Sequence, residues 1–269
     1  MNRLMVCAVA LALGSAQAAE LKKVLLVSEA LGYKHTEALT AGADAIALGG
    51  RTNGWFETVH GRISDLTNAA YVATFDAVVL NNTTSLEAER FPGLERTLTG
   101  FVAGGKGIVF IHAAVDAFYR SPAMQELSGG LFSGHPWYFE GKWKFRNEAP
   151  GNRINESFGG CETFWASDEI YQQKSPPFDR RKCKVLVSLV ADEPANRAAE
   201  DNWRHHKLDR IRRDFPIRED RDFAVSWTRE YGQGRVFYTS FGHDRRAFQD
   251  PARFGHILAG IRYALGVRP

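Results

Sequence analysis

The stretch "GKGIVFIHAAVDAF" at residues 105–118 decides the fold class of this chain. Between Gly107 and Ile111 it carries no polar side chain, which is typical of a strand buried on both faces of a parallel sheet. This strand runs directly into His112. In open α/β sheets, ligands bind at the carboxyl ends of the strands, so His112 is a candidate site residue from the outset.

The preceding hundred or so residues repeat this pattern of strand and helix. Apolar runs at residues 23–28 ("KVLLVS"), 55–59 ("WFETV") and 75–82 ("FDAVVLNN") predict three further strands. Apolar residues at helical spacing predict amphipathic helices that begin near Leu39 and Leu94. Strands that alternate with helices of this length predict a mostly parallel, doubly wound sheet with right-handed crossovers.

The second half of the chain has a different pattern. Residues 132–152 ("FSGHPWYFEGKWKFRNEAPGN") are rich in aromatic residues, glycine and charge, and they predict a long loop with an antiparallel excursion. Residues 183–190 ("CKVLVSLV") predict another buried strand, and residues 223–242 predict a hairpin that turns at "YGQG". A closing helix is predicted over 254–266, ending at a glycine.

The first 19 residues predict a secretory signal peptide rather than part of the fold. Arg3 gives a basic start, "LMVCAVALALG" is an apolar run too short to span a bilayer, and "AQA" precedes the expected cleavage at Ala18 or Ala19. The mature chain, residues 20–269, is then expected to be a single α/β domain that is periplasmic or secreted. No later stretch of the sequence is long and apolar enough to predict membrane insertion.

Composition excludes several classes of partner and site. The net charge of +3 is too small to indicate nucleic acid or an acidic membrane surface as a partner. Residues 192–222 are highly charged with both signs, which predicts a solvated surface insertion. Cys161 and Cys183 follow the signal peptide; they could pair in an oxidising compartment, and two thiolates exclude a four-thiolate zinc site.

Polar residues follow four of the predicted strands. His35 follows the first strand, Asn82 the third and His243 the last, while His112 and Asp116 follow the fourth. Because the carboxyl ends of parallel strands share one edge of a sheet, these side chains are expected to line one pocket. Each residue taken alone could instead be structural, as a buried histidine bonded to backbone carbonyls or an asparagine that caps a helix.

The aromatic segment "GHPWYF" at residues 134–139 allows two interpretations. Trp137 could stack on the C–H face of a sugar, whose hydroxyl groups would need nearby histidine, asparagine or aspartate. It could equally do no more than cover the edge of the sheet.

Several motifs, in this order along the chain, resemble the ThuA-like (trehalose utilisation) family. The resemblance runs from Lys22 to Gly266 and includes the segments "GYKHTEAL", "DAVVLNNTT", "GGKGIVFIHAAVDAF", "GHPW", "SDEIY", "AVSWTREYGQGRVFYTSFGHD" and "ILAGIRYALG". It implies a three-layer α/β sandwich of the class I glutamine amidotransferase-like, or flavodoxin-like, kind. In the amidotransferase relatives a cysteine nucleophile follows the strand that here leads into His112, so amidotransfer through a thioester is not expected.

The resemblance also implies a link to the use of disaccharides, in particular trehalose and 3-keto sugars. It implies the following pocket residues: His35, Asn82, Thr83, His112, His135, Asp168, Glu169 and His243. Two mechanisms are open on these residues. His112 could act with Asp168 or Glu169 as acid and base, or a divalent metal ion could be held by His35, His112 and His135.

Three classes of function therefore stay open at the level of sequence. The first is an exported hydrolase or lyase that acts on disaccharides or their 3-keto forms. The second is a non-catalytic sugar-binding module, and the third is a subunit of a larger sugar-processing complex.

Overall fold

The computed structural model describes residues 21–205 and 215–267. The predicted signal peptide, residues 1–19, lies outside the described residues, as does part of the charged segment 192–222. Across the described ranges, no helix has the length and apolar character that a membrane crossing requires.

A nine-stranded sheet forms the centre of the described structure. The strands are β1 (Lys22–Val27), β2 (Phe56–Gly61), β3 (Ala77–Asn81), β4 (Gly107–Ile111), β5 (Trp143–Asn147), β6 (Thr163–Ala166), β7 (Lys184–Leu189), β8 (Ala224–Tyr231) and β9 (Gly234–Thr239). Their spatial order is β2-β1-β3-β4-β9-β8-β7-β5-β6.

The sheet has a parallel half and an antiparallel half. Strands β2, β1, β3, β4 and β9 are parallel to one another, which confirms the predicted doubly wound arrangement. Strands β8, β7, β5 and β6 then extend the sheet with antiparallel pairings. The sequence analysis did not predict β6, a short edge strand whose residues are exposed or only partly buried.

The helices lie on both faces of the sheet. The α-helices are α1 (Ala43–Thr52), α2 (Ala69–Val72), α3 (Leu94–Ala103), α4 (Pro122–Ser128), α5 (Pro194–His205), α6 (Arg245–Gln249) and α7 (Pro251–Ala264). A π-helical turn, Ala38–Gly42, leads into α1, and 3-10 turns lie at Ile63–Thr67, Ala88–Arg90, His112–Val115 and Arg153–Phe158.

Two apolar cores sandwich the sheet because successive side chains of a strand point to opposite faces. Val24 and Leu26 of β1 pack in the core that contains α1 and α7. Leu25 and Val27 of the same strand pack in the other core, with α3 and α4. This three-layer sandwich is the predicted fold class.

The charged segment 192–222 is not simply a surface insertion. Its helix α5 buries Asn196, Glu200 and Trp203 against the rest of the protein. Glu200 forms an ion pair at 3.0 Å with Arg221, so the charge that the helix buries is compensated. The prediction of a solvated segment was wrong for this helix, because its high charge obscured one buried face.

The two cysteines do not pair. Cys161 is exposed, Cys183 is buried, and both are free thiols.

Candidate active site

Three imidazoles and one carboxylate meet at the carboxyl edge of the parallel strands. His35, His112, His243 and Glu169 each offer one ligand atom, and these atoms all lie within 4.8 Å of one another. The three histidine rings contact each other edge to face, with centroids 4.9 to 5.4 Å apart. The residues that follow β1, β4 and β9 therefore share one cleft, as the positions of the strand ends predict.

Sharp turns at the strand ends aim these side chains into the cleft. His112 follows β4 directly and has φ of 49°, a left-handed conformation that non-glycine residues rarely adopt. Gly242, with φ of 126°, precedes His243, and a Cβ there would lie 2.8 Å from a methyl group of Ile111. The turn that carries His243 thus packs closely on β4, and this close approach requires glycine.

The protonation of His112 follows from its surroundings. Its ring is fully buried, and burial lowers its pKa, so the imidazole is neutral near pH 7. Nδ1 lies 2.6 Å from the backbone oxygen of Ser240, which only accepts, so Nδ1 carries the hydrogen and donates it. Nε2 therefore presents a lone pair, and it has no hydrogen-bond partner within the described part of the chain.

That lone pair faces the carboxylate of Glu169. Nε2 of His112 lies 3.4 Å from Oε2 of Glu169. Burial disfavours the charged carboxylate, but the surrounding imidazoles outweigh burial and hold the pKa of Glu169 well below its usual range. An ionised carboxylate and a neutral imidazole nitrogen are both acceptors, so their approach requires a cation or a proton between them.

Other imidazole nitrogens surround the same carboxylate. Nε2 of His35 lies 3.9 Å and Nε2 of His243 lies 3.8 Å from Oε2 of Glu169. Burial, together with the neighbouring His112, lowers the pKa of His243 to about 4, so this ring is also neutral near pH 7. Nδ1 of His135 lies 3.4 Å from the other oxygen, Oε1.

This group fits a divalent transition metal. Zinc binds three histidines and a carboxylate tetrahedrally, and bonds of 2.0–2.1 Å place its ligand atoms roughly 3.4 Å apart. The three distances from Glu169 Oε2, 3.4 to 3.9 Å, are only slightly longer. The group includes the predicted ligands His35 and His112 but has Glu169 and His243 in place of His135.

Asp168 points away from this group. Its carboxylate accepts the backbone N–H of Gly242 at 3.1 Å and those of His243 at 3.2 Å and Glu169 at 3.0 Å. The guanidinium of Arg253 lies 3.4 Å away. Burial raises the pKa of Asp168 to about 6. Asp168 therefore fixes the turn that carries His243, and its catalytic role stays a prediction.

Asn82 and Thr83 lie in the turn after β3. Asn82 is buried with φ of 55°, and its amide donates to Asn81 at 3.0 Å and to the backbone oxygen of Gly242 at 3.1 Å. Its Oδ1 and the hydroxyl of Thr83 are buried and form no hydrogen bond to the described residues. Asn82 therefore ties the turn after β3 to the turn after β9.

The structure overturns the prediction that Trp137 contacts a sugar. Its side chain is fully buried in the core, its indole N–H donates to Asn196 at 3.1 Å, and its ring packs on Phe223. A backbone bridge to Ile170 fixes this inward direction. The alternative interpretation, in which this tryptophan covers the sheet, is the correct one.

Other aromatic residues flank the cleft instead. Phe139 stacks on His243, with ring centroids 4.5 Å apart and planes 14° from parallel. The ring of Tyr33 is 70% exposed and contacts His35 edge to face. These residues line a cavity of about 620 Å³ that leads to His35 and His243. Sequence reasoning missed Phe139, although it lies two residues after Trp137, because the loop alone does not show which aromatic faces outward.

His135 sits behind the cleft among aromatic rings. Phe132 stacks on it, and Tyr138 and Trp203 contact it edge to face. Trp203 belongs to α5, so the charged segment contributes directly to the surroundings of this histidine.

Asp116 lies one turn beyond His112 and is partly exposed. The hydroxyl of Tyr119 donates to its Oδ1 at 2.5 Å. Burial raises the pKa of Asp116 to about 6, while Tyr119 and His35 oppose this rise and Glu169 and Glu87 add to it.

Fold and site together define a three-layer α/β protein with a histidine–glutamate cleft at the carboxyl edge of its sheet. The sequence model of the trehalose utilisation family, ThuA, matches residues 23–264. The chain therefore belongs to the ThuA family. A search of curated proteins finds no match for it.

Solved structures support the same fold. A ThuA-like protein from Bacteroides uniformis superposes with a TM-score of 0.66 at 17% identity, over 93% of this chain and 94% of that one. A ThuA-like protein from Parabacteroides merdae gives 0.63 at 17% identity, over 91% and 90%. A β-galactosidase from Bacillus circulans gives 0.55 at 10% identity, over 93% of this chain and 32% of that one.

Proposed function

We propose that this ThuA-family protein is an enzyme that cleaves a disaccharide, or its 3-keto form, with the help of a divalent metal ion. The metal would be held by His35, His112, Glu169 and His243. One observation carries the metal: the ligand atoms of His35, His112, Glu169 and His243 lie within 4.8 Å of one another, and Nε2 of His112 is buried 3.4 Å from Oε2 of Glu169 without a hydrogen-bond partner among the described residues. Two acceptors this close need a cation or a proton between them. A cation removes this conflict, and the bond from Nδ1 to Ser240 is the outer contact that metal-bound histidines usually make.

Three observations support a sugar as the substrate. The family to which the chain belongs is described by trehalose utilisation. The cavity that leads to the histidines is flanked by the rings of Tyr33 and Phe139, which suit the C–H faces of a sugar. His112 follows strand β4 where an amidotransferase needs cysteine, which leaves the cleft available to a substrate of another class, such as a sugar.

The residues divide into two roles in this proposal. The bound metal supplies a Lewis acid, which polarises a carbonyl or hydroxyl oxygen of the substrate. Asp168 and Asn82 hold the turn of His243 in place, so that the ligand nitrogens stay close to their final positions before the metal binds.

The test combines metal analysis with turnover. The protein is purified without chelators, its Zn, Mn and Ca contents are measured, and 3-keto-trehalose and 3-keto-lactose are supplied with and without EDTA. We expect about one metal ion per chain and release of monosaccharide that EDTA abolishes. His112→Ala should lose both, whereas His60→Ala, which removes an exposed histidine of β2, should lose neither.

A different experimental result would contradict each part of the proposal. If the protein cleaves the sugar without stoichiometric metal, the proposed role of the metal is wrong and the acid–base mechanism remains. If the protein binds the sugar tightly without cleaving it, the proposal that it is an enzyme is wrong and a sugar-binding module is favoured.

We also propose that the protein is exported, on the strength of the signal-peptide pattern at residues 1–19. Expression of the full chain in a Gram-negative host, followed by N-terminal sequencing of the periplasmic fraction, should give a chain that starts at Ala19 or Glu20. Recovery of a chain that still starts at Met1 would contradict this.

A further inference from the structure

A second cavity lies at the edge of the sheet opposite the histidines. Its volume is about 710 Å³, which is within the usual range for small-molecule sites. Arg235 lines it from the start of β9 and Trp55 from the position before β2, whereas His112 and His243 follow the carboxyl ends of β4 and β9. Among the described residues, none lines both this cavity and the one that leads to the histidines. The two cavities are therefore separate.

The lining of this second cavity is positively charged. Three guanidinium groups line it, those of Arg153, Arg235 and Arg262, and we call it the arginine cavity. The described lining residues include one carboxylate, that of Glu156. Three arginines against one glutamate give the lining a net charge of +2, and an arginine side chain keeps its charge at any pH at which the protein is folded.

The arginines of this cavity differ from those at the histidine cleft in their pairing. At the cleft, Arg245 forms an ion pair with Glu37 at 2.9 Å. Within the described part of the chain, neither Arg153 nor Arg235 has a carboxylate within ion-pair distance, although Glu230 is the cross-strand neighbour of Arg235. An anion can therefore bind in the arginine cavity without displacing a carboxylate of the protein from these two residues.

Contacts within the protein position two of the three guanidinium groups. Nε of Arg235 donates to the backbone oxygen of Ala264 at 3.3 Å, and its Nη2 lies so close to Gly266 that a Cβ there would come within 2.2 Å of it. The guanidinium of Arg262 lies over the ring of Trp55, 4.8 Å from the centroid. Both groups are held in place before a ligand binds, which lowers the entropic cost of binding.

The remaining lining of the arginine cavity is mostly apolar. Ile154, Ala259 and Val267 contribute aliphatic side chains, and Trp55 and Tyr263 contribute rings. Apolar surface beside guanidinium groups suits a ligand that carries an anionic group on an apolar body. An inorganic anion alone would leave this apolar surface in contact with water.

We propose that the arginine cavity is a second ligand site, which binds a phosphate monoester of an apolar ring. The charge of a phosphate monoester at pH 7, about −1.5 to −2, matches the net charge of the lining. Arg153 and Arg235 hold the phosphate, because the N–H donors of a guanidinium fit two phosphate oxygens at once. The inference does not depend on the proposed function, since no residue of this cavity takes part in that reaction.

The test is a calorimetric titration of the purified protein with 1-naphthyl phosphate. The comparison ligands are inorganic phosphate, which lacks the ring, 1-naphthoate, which has a single charge, and 1-naphthylmethanol, which has none. We expect one molecule of 1-naphthyl phosphate per chain, bound about 10-fold more tightly than any of the three. Added sodium chloride should weaken this binding, because it screens the guanidinium groups.

Three variants locate the bound molecule. Arg153→Ala removes an exposed side chain and should weaken the binding of 1-naphthyl phosphate by about 10-fold, through the loss of a charge-assisted contact. Arg197→Ala, which removes an exposed arginine of α5, makes the same change in net charge and should not alter the affinity. His112→Ala should not alter it either, because the histidine cleft is a separate cavity.

Several results would overturn the proposed site. Equal affinity for inorganic phosphate or for 1-naphthylmethanol would mean that charge alone, or apolar surface alone, accounts for binding. Equal affinity for 1-naphthoate would exclude a preference for the phosphate monoester. Loss of binding in His112→Ala would place the molecule in the histidine cleft, and full affinity in Arg153→Ala, or no detectable binding to the unsubstituted protein, would contradict a site in the arginine cavity.

Discussion

Two histidines are fully buried among the described residues, His112 and His256, and they lie in different regions of the molecule and differ by one hydrogen bond. His256 lies on the buried face of α7, where Nδ1 donates to the backbone oxygen of Ile154 at 3.1 Å and Nε2 is hydrogen-bonded to the hydroxyl of Ser226 at 2.8 Å. His112, at the rim of the sheet, has a partner for Nδ1 only, and its Nε2 faces a carboxylate. Burial lowers the pKa of both rings, to about 3 for His256.

The comparison shows why burial does not by itself mark a functional histidine. A ring with both nitrogens satisfied is complete without a ligand, and its role is to support the fold. A ring whose second nitrogen is buried and faces another acceptor has all its polar atoms satisfied only when a cation or a proton binds between the two acceptors. Arg253, on the same helix as His256, reaches Asp168 and so connects the two regions.

The largest expected effect comes from Glu169→Gln. The amide has the same shape, but it removes the negative charge and places an N–H donor near three imidazoles, so metal affinity should fall by more than about 100-fold. Metal analysis after dialysis against a series of buffered zinc concentrations measures this. Glu162→Gln, at an exposed glutamate, serves as the control. Unchanged affinity in Glu169→Gln would remove this residue from the metal site.

His256→Ala is the matching change in the other region, at the histidine that has no role in the metal site. It opens a cavity and removes the hydrogen bonds of the ring to the Ile154 oxygen and the Ser226 hydroxyl, so the free energy of unfolding should fall by about 3 kcal/mol. Metal content at saturating metal should not change. Chemical denaturation, followed by metal analysis of the folded protein, checks both. Loss of metal together with stability would show that the two regions are not independent.

The pH dependence of stability should also separate the two regions. Folding lowers the pKa of His256 from 6.5 to about 3, so between these values the unfolded chain binds the additional proton. Stability from this group is therefore present above pH 6.5 and is lost as the pH falls towards 3. From pH 6.5 to 5 the loss is about 2 kcal/mol. Denaturant titrations of the metal-free protein should show this slope in addition to those of His112 and His243, whose pKa values are also lowered, and His256→Gln should remove the His256 share alone.

Asp168→Asn tests the connection between the regions. The amide replaces one acceptor oxygen, so one of the backbone N–H groups of Gly242 and His243 loses its partner and the turn is less well fixed. Outer contacts of this kind are typically worth 10–100-fold in metal affinity, and we expect a loss within about that range. A loss as large as that of Glu169→Gln would instead indicate that Asp168 is itself a ligand.

How much of this site the sequence predicts depends on the kind of contact that positions each residue. His35, His112 and His243 follow parallel strands, His112 directly and the other two in the loop after the strand, and strand ends can be located from apolar runs. Glu169 follows no predicted strand. The neighbouring bridge between Trp137 and Ile170 brings its segment to the cleft, and such a long-range pairing leaves no periodic signal.

The same limit explains the errors in the antiparallel half. The position of Trp137 in its loop is visible in the sequence, but the direction of its ring depends on the bridge to Ile170. Helix α5 combines a buried face with so many charges that composition indicated a solvated segment. By contrast, the alternation of strand and helix over the first half was sufficient to predict a mostly parallel, doubly wound sheet, and the family resemblance supplied the three-layer class.

The smallest expected effect concerns Phe139, whose ring flanks the cleft where the sequence analysis predicts Trp137. Phe139→Leu keeps an apolar side chain but removes the ring that stacks on His243, and aromatic contacts of this kind are worth about 0.5–1.5 kcal/mol. The affinity for the disaccharide should therefore fall by about 2- to 12-fold at unchanged metal content. Calorimetry with metal-loaded protein measures this difference. Trp137→Phe should instead lower the free energy of unfolding and leave sugar affinity unchanged, because its ring lies wholly in the core. If the tryptophan variant loses affinity and the phenylalanine variant does not, the assignment of the outward-facing ring is wrong.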